Sequence, residues 1–388
     1  MKKIVLLLVM LLVLLSCNNG KSRLLFAVHE IDFVNKSDIT VKGTRVDVDL
    51  PMGVNSIEVC DSFFIVMFYN GGPLMSVYSH EWELLGRFCY KGRGRNEFNT
   101  EPRMISAQTL RGENGNTLIP FLEGNFGIKV MDLQQSLQSQ KTAIVMEKEY
   151  LPYTVIEAGK IGEDYYTRTR PFDFVILNND INQTFRSHLP IMDQDEISYG
   201  KDFDVMYDGE QQKYFKMFSS DCATDFDYAQ NYLHKHPGRN LIIAPIYNMD
   251  YILFFDLDND RTFAIHQSGS RSYDDELSPI EYQQIQNNDG SVSSLSTTPS
   301  TFEDCIGTES FFIVKYYSGD YSVNQPDFRN AAPELLFFDW DGNFLKSVML
   351  DVNIGNISYD EITQTLYGVD VANDCILSFD LSPVVACF

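Results

Sequence analysis

Hydrophobic and polar positions along this chain fall into short apolar runs, each ending in an acidic, amide or hydroxyl residue at a turn. The clearest is Glu334-Leu335-Leu336-Phe337-Phe338-Asp339, followed by Trp340-Asp341-Gly342-Asn343 and a second run, Phe344-Leu345-Lys346-Ser347-Val348. Asp-Gly between two apolar runs predicts a hairpin, because glycine supplies the backbone freedom to reverse the chain. The first run has six counterparts in all, ending at Ser79, Asp132, Asn178, Asp256, Asp339 and Asp380, with spacings of 53, 46, 78, 83 and 41 residues. A blade of four short strands takes about 40–50 residues. The two long intervals therefore carry insertions, one over roughly 190–237 and one over 267–299. The second is rich in Ser, Asp, Asn and Gln and reads as a surface loop.

Strands are expected around these anchors. Phe63-Phe64-Ile65-Val66-Met67 and Leu74-Met75-Ser76-Val77-Tyr78 belong to the first unit, and Thr117-Leu118-Ile119-Pro120-Phe121 to the second. Tyr165-Tyr166-Thr167 and Thr184-Phe185-Arg186 belong to the third, and Tyr251-Ile252-Leu253-Phe254-Phe255-Asp256 to the fourth. The first strand of the fourth unit is sought between Tyr214 and Phe226. The last unit offers three strands before Phe388 and needs a fourth. Arg45-Val46-Asp47-Val48-Asp49-Leu50 alternates as a half-buried outer strand should, with Leu24 to Phe33 as its competitor. The expected fold is all-β: a six-bladed β-propeller of four-stranded antiparallel blades, its ring closed by an N-terminal strand.

The first residues change the picture from fold to address. Met1-Lys2-Lys3 precedes an unbroken apolar run, Ile4 to Leu15, which at twelve residues is short of the about 20 a membrane-spanning helix needs. It suits a signal peptide. The run ends in Leu14-Leu15-Ser16-Cys17, which resembles a bacterial lipobox, so residues 1–16 read as a lipoprotein signal peptide. Residues 17–23 then hold a lipidated Cys17 and a tether, and residues 24–388 the propeller. Buried acyl chains contribute about 0.8 kcal/mol per CH₂, enough for a membrane anchor without a spanning helix.

Charge narrows the partners. Without Lys2 and Lys3 the chain has 28 basic and 54 acidic residues, a net −26, which disfavours nucleic acid. Six cysteines follow Cys17; none are spaced as CxxC, and buried single thiols are expected. No metal site is expected, because no Cys or His cluster has ligand spacing. No cofactor is expected either.

Leu85-Gly86-Arg87-Phe88-Cys89-Tyr90-Lys91-Gly92-Arg93-Gly94-Arg95-Asn96-Glu97-Phe98 resembles a recurring phrase of the TolB-like six-bladed β-propeller lipoproteins of Bacteroidota: an outer strand, a Gly-rich turn, then Glu and an aromatic. The chain departs from the family at Arg95-Asn96, where Pro-Gly is usual. The resemblance implies a lipid-anchored envelope protein and carries over no catalytic residue.

No catalytic residue is assigned. Asp256-Leu257-Asp258-Asn259-Asp260 and Asp339-Trp340-Asp341-Gly342-Asn343 resemble pieces of calcium loops, but position twelve is Gln267 or Leu350 rather than glutamate; both read as hairpin turns. His234-Lys235-His236 lacks further ligands nearby and reads as a solvated loop. In a propeller the connections between second and third strands share one face with those between blades. That face collects Tyr69, Arg93, Arg95, Phe126, Arg168, Arg170 and Tyr247, aromatic platforms and guanidinium forks suited to ligand binding.

The expected function is a non-catalytic binding or scaffolding module for an envelope protein, peptide or glycan. It would be held to the outer membrane, on the periplasmic side in preference to the cell surface. The alternative is a propeller hydrolase or lyase with a metal at the central channel, similar to sugar-lactone hydrolases, for which Glu58, Asp304 and Asp360 are the axial candidates.

Overall fold

The computed structural model describes residues 27–34, 37–60, 62–69, 72–104, 110–112, 114–123, 127–148, 155–161, 164–169, 174–177, 206–207, 213–215, 234–246, 250–259, 261–270, 282–286, 292–296, 301–317 and 331–388. The signal peptide, Cys17 and tether lie outside them. Among the described residues no helix is long and apolar enough to cross a membrane.

The protein is an all-β propeller. The described strands form six sheets of four or five strands and one separate two-stranded hairpin. The first sheet runs in chain order through Val54–Cys60, Phe63–Phe68, Pro73–Ser79 and Leu84–Tyr90. The fifth does the same through Phe302–Gly307, Phe311–Tyr316, Glu334–Asp339 and Phe344–Leu350. The last holds Ile357–Asp360, Thr365–Asp370 and Cys375–Asp380.

Middle strands such as Phe63–Phe68 and Tyr251–Asp256 are almost wholly apolar because both of their faces are covered. Phe254 and Phe263 of the fourth sheet share one core with Phe312 and Phe338 of the fifth. Leu335 and Phe337, on the other face of the fifth, pack with Leu366 and Phe379 of the last. Tyr367 and Ile376 of the last sheet pack with Phe64 and Val66 of the first, and Phe88 of the first with Phe121 of the second. The end of the chain thus meets its beginning. That seam is also hydrogen-bonded: Ile57 N donates to Asn356 Oδ1 at 3.0 Å, Asn356 Nδ2 donates to Ile57 O at 2.8 Å, and Val59 N donates to Ser358 Oγ at 2.8 Å.

Packing between the fifth and last sheets is tight enough to test. A Cβ on Gly368 would stand 2.5 Å from Ile354 Cδ1 and 3.0 Å from Ile354 Cβ, and Ile354 belongs to the core these two sheets share. Gly368→Ala is expected to cost about 2 kcal/mol, as overpacking does, read as a lowered urea midpoint. An unchanged midpoint would show that this packing yields.

The N-terminal segment corrects the expected closure. Thr44–Arg45 is the fourth strand of the last sheet, antiparallel to Cys375–Asp380, and Val46 N continues the ladder to Ile376 O at 3.0 Å. The rest of the predicted strand leaves the sheet, and Val46, Val48 and Leu50 pack on the seam core. The competitor has its own edge: Ala27–Ile31 pairs in parallel with Arg261–Gln267 of the fourth sheet. Thr40–Val41 does the same on Phe344–Leu350 of the fifth. One extended segment therefore laces three outer edges in succession, covering N–H and C=O groups that an open edge would leave unpaired.

Three further expectations change. The first strand of the fourth sheet is His234–Lys235, paired with Leu241–Pro245, not a stretch between Tyr214 and Phe226. Lys213–Phe215 instead pairs with Phe174–Leu177 in the third sheet; Thr184-Phe185-Arg186 lies outside the described residues. The expected surface loop over 267–299 contains the hairpin Tyr282–Gln286 with Val292–Ser296.

Candidate functional site

Two groups of side chains merit a functional reading, one along the innermost strands and one at an end of the sheets. On the innermost strands, Glu58 of the first sheet lies within reach of the Asp304 charge from the fifth, with Ser358 of the last sheet between them. Ser358 Oγ donates to Glu58 Oε2 at 3.4 Å. Burial is the main reason that the Glu58 carboxyl is pushed up to about 8, with the Asp304 charge adding and the Ser358 hydroxyl opposing. Asp304 is pushed up to about 6, again by burial first, held back by the Lys315 ammonium and by the Ile357 and Cys305 N–H groups. Both side chains are half-buried, so water tempers these effects.

Asp360, the third axial candidate, is elsewhere. It closes the turn after its strand, accepting Ile362 N at 2.9 Å and Thr363 Oγ1 at 2.8 Å, with His80 Nδ1 at 3.5 Å. Among the described residues no group of three or more His, Cys, Asp or Glu is arranged to hold a metal. Asp304 already spends Oδ1 on Cys305 N and Oδ2 on Ile357 N, and Glu58 keeps its proton at neutral pH.

The second group starts from the Gly-rich turn. Lys91 and Phe98 bridge, Gly92 N donates to Phe98 O at 3.0 Å and Phe98 N to Tyr90 O at 2.9 Å. Glu97 takes the place of a rigid Pro-Gly: its Oε2 accepts Gly94 N at 2.7 Å, and Asn96 Oδ1 accepts Ile144 N at 3.3 Å. Phe98 is fully buried against Phe121. With its base pinned, the turn presents Arg93 and Arg95 to solvent.

Tyr69 follows the second strand of the same sheet, Phe63–Phe68. Second and fourth strands of an antiparallel sheet run the same way, so Tyr69 and the turn share one end. Tyr69 is 49 % exposed. Its N–H donates to Gly53 O at 2.8 Å, and Gly53 N donates to the Asp374 carboxylate at 2.9 Å. Gly53 thereby joins Tyr69, Met52 and the turn holding Val371 into one surface. Met52 is 84 % exposed and Val371 64 %.

Tyr69, Arg93 and Arg95 thus lie at one end of the first sheet. Phe126, Arg170 and Tyr247 lie outside the described residues; Arg168 falls in the strand Asp164–Thr169, its side chain outside them. Sequence reasoning missed Met52 and Val371, since single apolar residues in loops carry no periodic signal.

Other candidates resolve into structure. Asp339 Oδ1 accepts Asn343 N at 2.8 Å and Oδ2 accepts Asn343 Nδ2 at 2.8 Å, and Asp256 holds Asn259 likewise; both are hairpin turns. The expected solvated loop at His234-Lys235-His236 is instead buried at both histidines. Burial pushes the His234 imidazole down to about 4. His236 Nδ1 accepts Gly238 N at 2.9 Å, and its ring lies 4.7 Å from Trp340. Cys60, Cys89, Cys305 and Cys375 are buried and Cys387 is exposed; Cys222 lies outside the described residues.

No family model matches the chain, and no curated protein does. Among solved structures it is similar to a putative exported protein from Bacteroides fragilis, at 11 % identity and a TM-score of 0.45, covering 92 % of this chain and 98 % of that one. A member of the DUF4221 family from Bacteroides vulgatus gives 8 % identity and a TM-score of 0.46, covering 88 % and 97 %. BamB from Moraxella catarrhalis gives 10 % identity and a TM-score of 0.35, covering 88 % and 96 %.

Proposed function

We propose that the chain is a lipid-anchored, six-bladed propeller of the TolB-like kind. It serves as a non-catalytic binding module at the cell envelope, at the periplasmic side of the outer membrane. Each of the six sheets is one blade, and Thr44–Arg45 closes the ring. The lipobox at Cys17 supports the anchor. The observation that carries the binding reading is the exposed surface of Met52, Tyr69 and Val371 beside Arg93 and Arg95. Exposed aliphatic side chains next to an aromatic and two guanidinium groups fit a protein or peptide with an apolar side chain and a carboxylate. A glycan would use Tyr69 and leave Met52 and Val371 in water, so a polypeptide partner is favoured.

A photo-crosslinking residue at Met52 or Tyr69, introduced in intact cells, tests this against the same residue at Ile362. Ile362 is 81 % exposed and sits in the turn between the last sheet's first two strands, at the opposite end. Discrete protein adducts are expected from Met52 and Tyr69, lost when Arg93 and Arg95 are both changed to Glu. Equal adducts from Ile362 would falsify the assignment of this face.

A further inference from the structure

A second constellation lies on the rim of the fourth sheet. Its outer strand, Arg261–Gln267, ends beside Ser268-Gly269-Ser270, where Gly269 at φ +76 folds the chain back and Ser270 N donates to Gln267 O at 3.1 Å. This brings Ser270 Oγ to 2.9 Å from His266 Nε2. On the other side of the ring, the parallel strand Ala27–Ile31 sets Glu30 opposite His266. The Glu30 oxygens stand 2.9 and 3.0 Å from Nδ1. His266 is 2 % exposed and stacks on Tyr251 at 4.0 Å, which fixes the imidazole plane.

A carboxylate at Nδ1 keeps the imidazole proton on that nitrogen and turns the Nε2 lone pair toward the serine. A hydroxyl, a base within hydrogen-bond reach and a third group orienting the base make up the arrangement of an activated nucleophile. Ser270 is half-buried rather than enclosed. Asp250 is also near: burial raises its carboxyl, and the hydroxyls of Ser270, Tyr316 and Thr301 and the charge of His266 draw it down. Asp250 therefore competes with His266 Nε2 for the single Ser270 proton, which must turn to Nε2 for the hydroxyl to be activated.

We infer that Ser270 is the nucleophile of an acyl-transfer site for ester substrates, with His266 as its general base and Glu30 as a positioning residue. Ser270 Oγ bonds to the ester carbonyl carbon as its proton passes to His266 Nε2. The carbonyl–alkoxy bond then breaks, and His266 returns the proton to the departing alcohol. Water, deprotonated by the same nitrogen, releases the acid and restores the hydroxyl. This would add a reaction to a chain read above as non-catalytic; its failure leaves the binding surface at Met52, Tyr69 and Val371 intact.

An alkyl fluorophosphonate probe on the full mature chain, followed by intact mass and peptide mapping, tests the inference. One adduct is expected, at Ser270, and none in Ser270→Ala. Labelling should slow about a hundredfold in His266→Gln, within the range general-base catalysis supplies, and about tenfold in Glu30→Gln. His266 is buried, so its variant is read beside Glu30→Gln, whose side chain is 56 % exposed and leaves the packing alone. Hydrolysis of p-nitrophenyl acetate should fall in the same order. A wild type that takes no adduct, an adduct at another residue, or Glu30→Gln labelling at the wild-type rate overturns the assignment.

Discussion

Glu58→Gln should leave stability almost unchanged at pH 4.5 and raise it by about 2 kcal/mol at pH 8.5. In the unfolded chain Glu58 ionises at 4.5, whereas burial and the Asp304 charge hold its proton in the folded protein to about 8. Between those values folding takes up a proton. Stability is therefore fully present below pH 4.5 and declines as pH rises toward 8, then levels. At about 1.4 kcal/mol per pKa unit a fully enclosed group would lose nearly 5 kcal/mol, and water at a half-buried carboxyl reduces this to about 2 kcal/mol. Glutamine removes the titration and keeps an oxygen for the Ser358 hydroxyl. Asp304, raised in the same direction to about 6, still supplies a smaller decline below that pH. Urea midpoints of both proteins at the two pH values decide it. A difference that is the same at pH 4.5 and pH 8.5 would mean that Glu58 does not titrate with folding.

This linkage bears on function because it sits at the seam. Ser358, which donates to Glu58, also accepts Val59 N, so the proton on Glu58 and the junction of first and last sheets share one hydroxyl. The apolar–arginine surface is at one end of the sheets. Ser270 follows the outer strand of the fourth sheet, and Asp250, which faces it, lies in that sheet's connection between second and third strands; both belong to the end shared with Tyr69.

How much could be read from the sequence follows from how each element signals itself. Runs such as Phe63–Phe68 and Glu334–Asp339 were visible because blades cover both faces of a middle strand, leaving no polar alternation to dilute them. Their turns were visible because Asp339 with Asn343, and Asp256 with Asn259, use side chains that bond locally. His234–Lys235 was invisible: two polar-headed residues give no period, although His234 is buried and the neighbouring His236 packs on Trp340. The helix Leu133–Ser139, capped by Asp132 Oδ1 accepting Gln135 N at 2.8 Å, is under two turns long and shows only Leu133 and Leu137 as a pattern. The lacing by Ala27–Ile31 and Thr40–Val41 depends on parallel edges chosen by the folded rim.

The candidate sites divide the same way. That Tyr69, Arg93 and Arg95 share one end of the first sheet was readable from strand order alone. Glu58 and Asp304 were readable as acids on innermost strands, while Asp360 was not, because its place at the strand end gives it to the turn. Glu30 and His266 are 236 residues apart, and only the parallel pairing brings them together.

Lys129→Met is expected to cost about 3 kcal/mol and to release the arginine turn. Lys129 is 3 % exposed, with Nζ 2.9 Å from Glu123 Oε2, 3.0 Å from Glu147 Oε1 and 2.6 Å from Glu97 O. Burial alone pushes its ammonium down, but hydrogen bonds to both glutamates and their charges outweigh that and leave it raised. Glu123 also accepts Asn99 N. One buried ion group thereby holds the turn at Glu97 and at Asn99, on either side of the buried Phe98, whose ring lies 5.1 Å from Nζ. Methionine fills most of the volume but leaves Glu123 uncompensated in a nearly closed site, the situation in which removing one partner costs about 3–5 kcal/mol. Glu147, more open, regains water and keeps the estimate at the low end. The loss should appear as a lower urea midpoint at pH 7. It should also appear as faster amide exchange at Gly92 and Phe98, with exchange in the last sheet following only the global change. A Lys129→Met protein of wild-type stability, or one whose turn exchanges no faster than the rest, would detach the buried lysine from the presentation of Arg93 and Arg95.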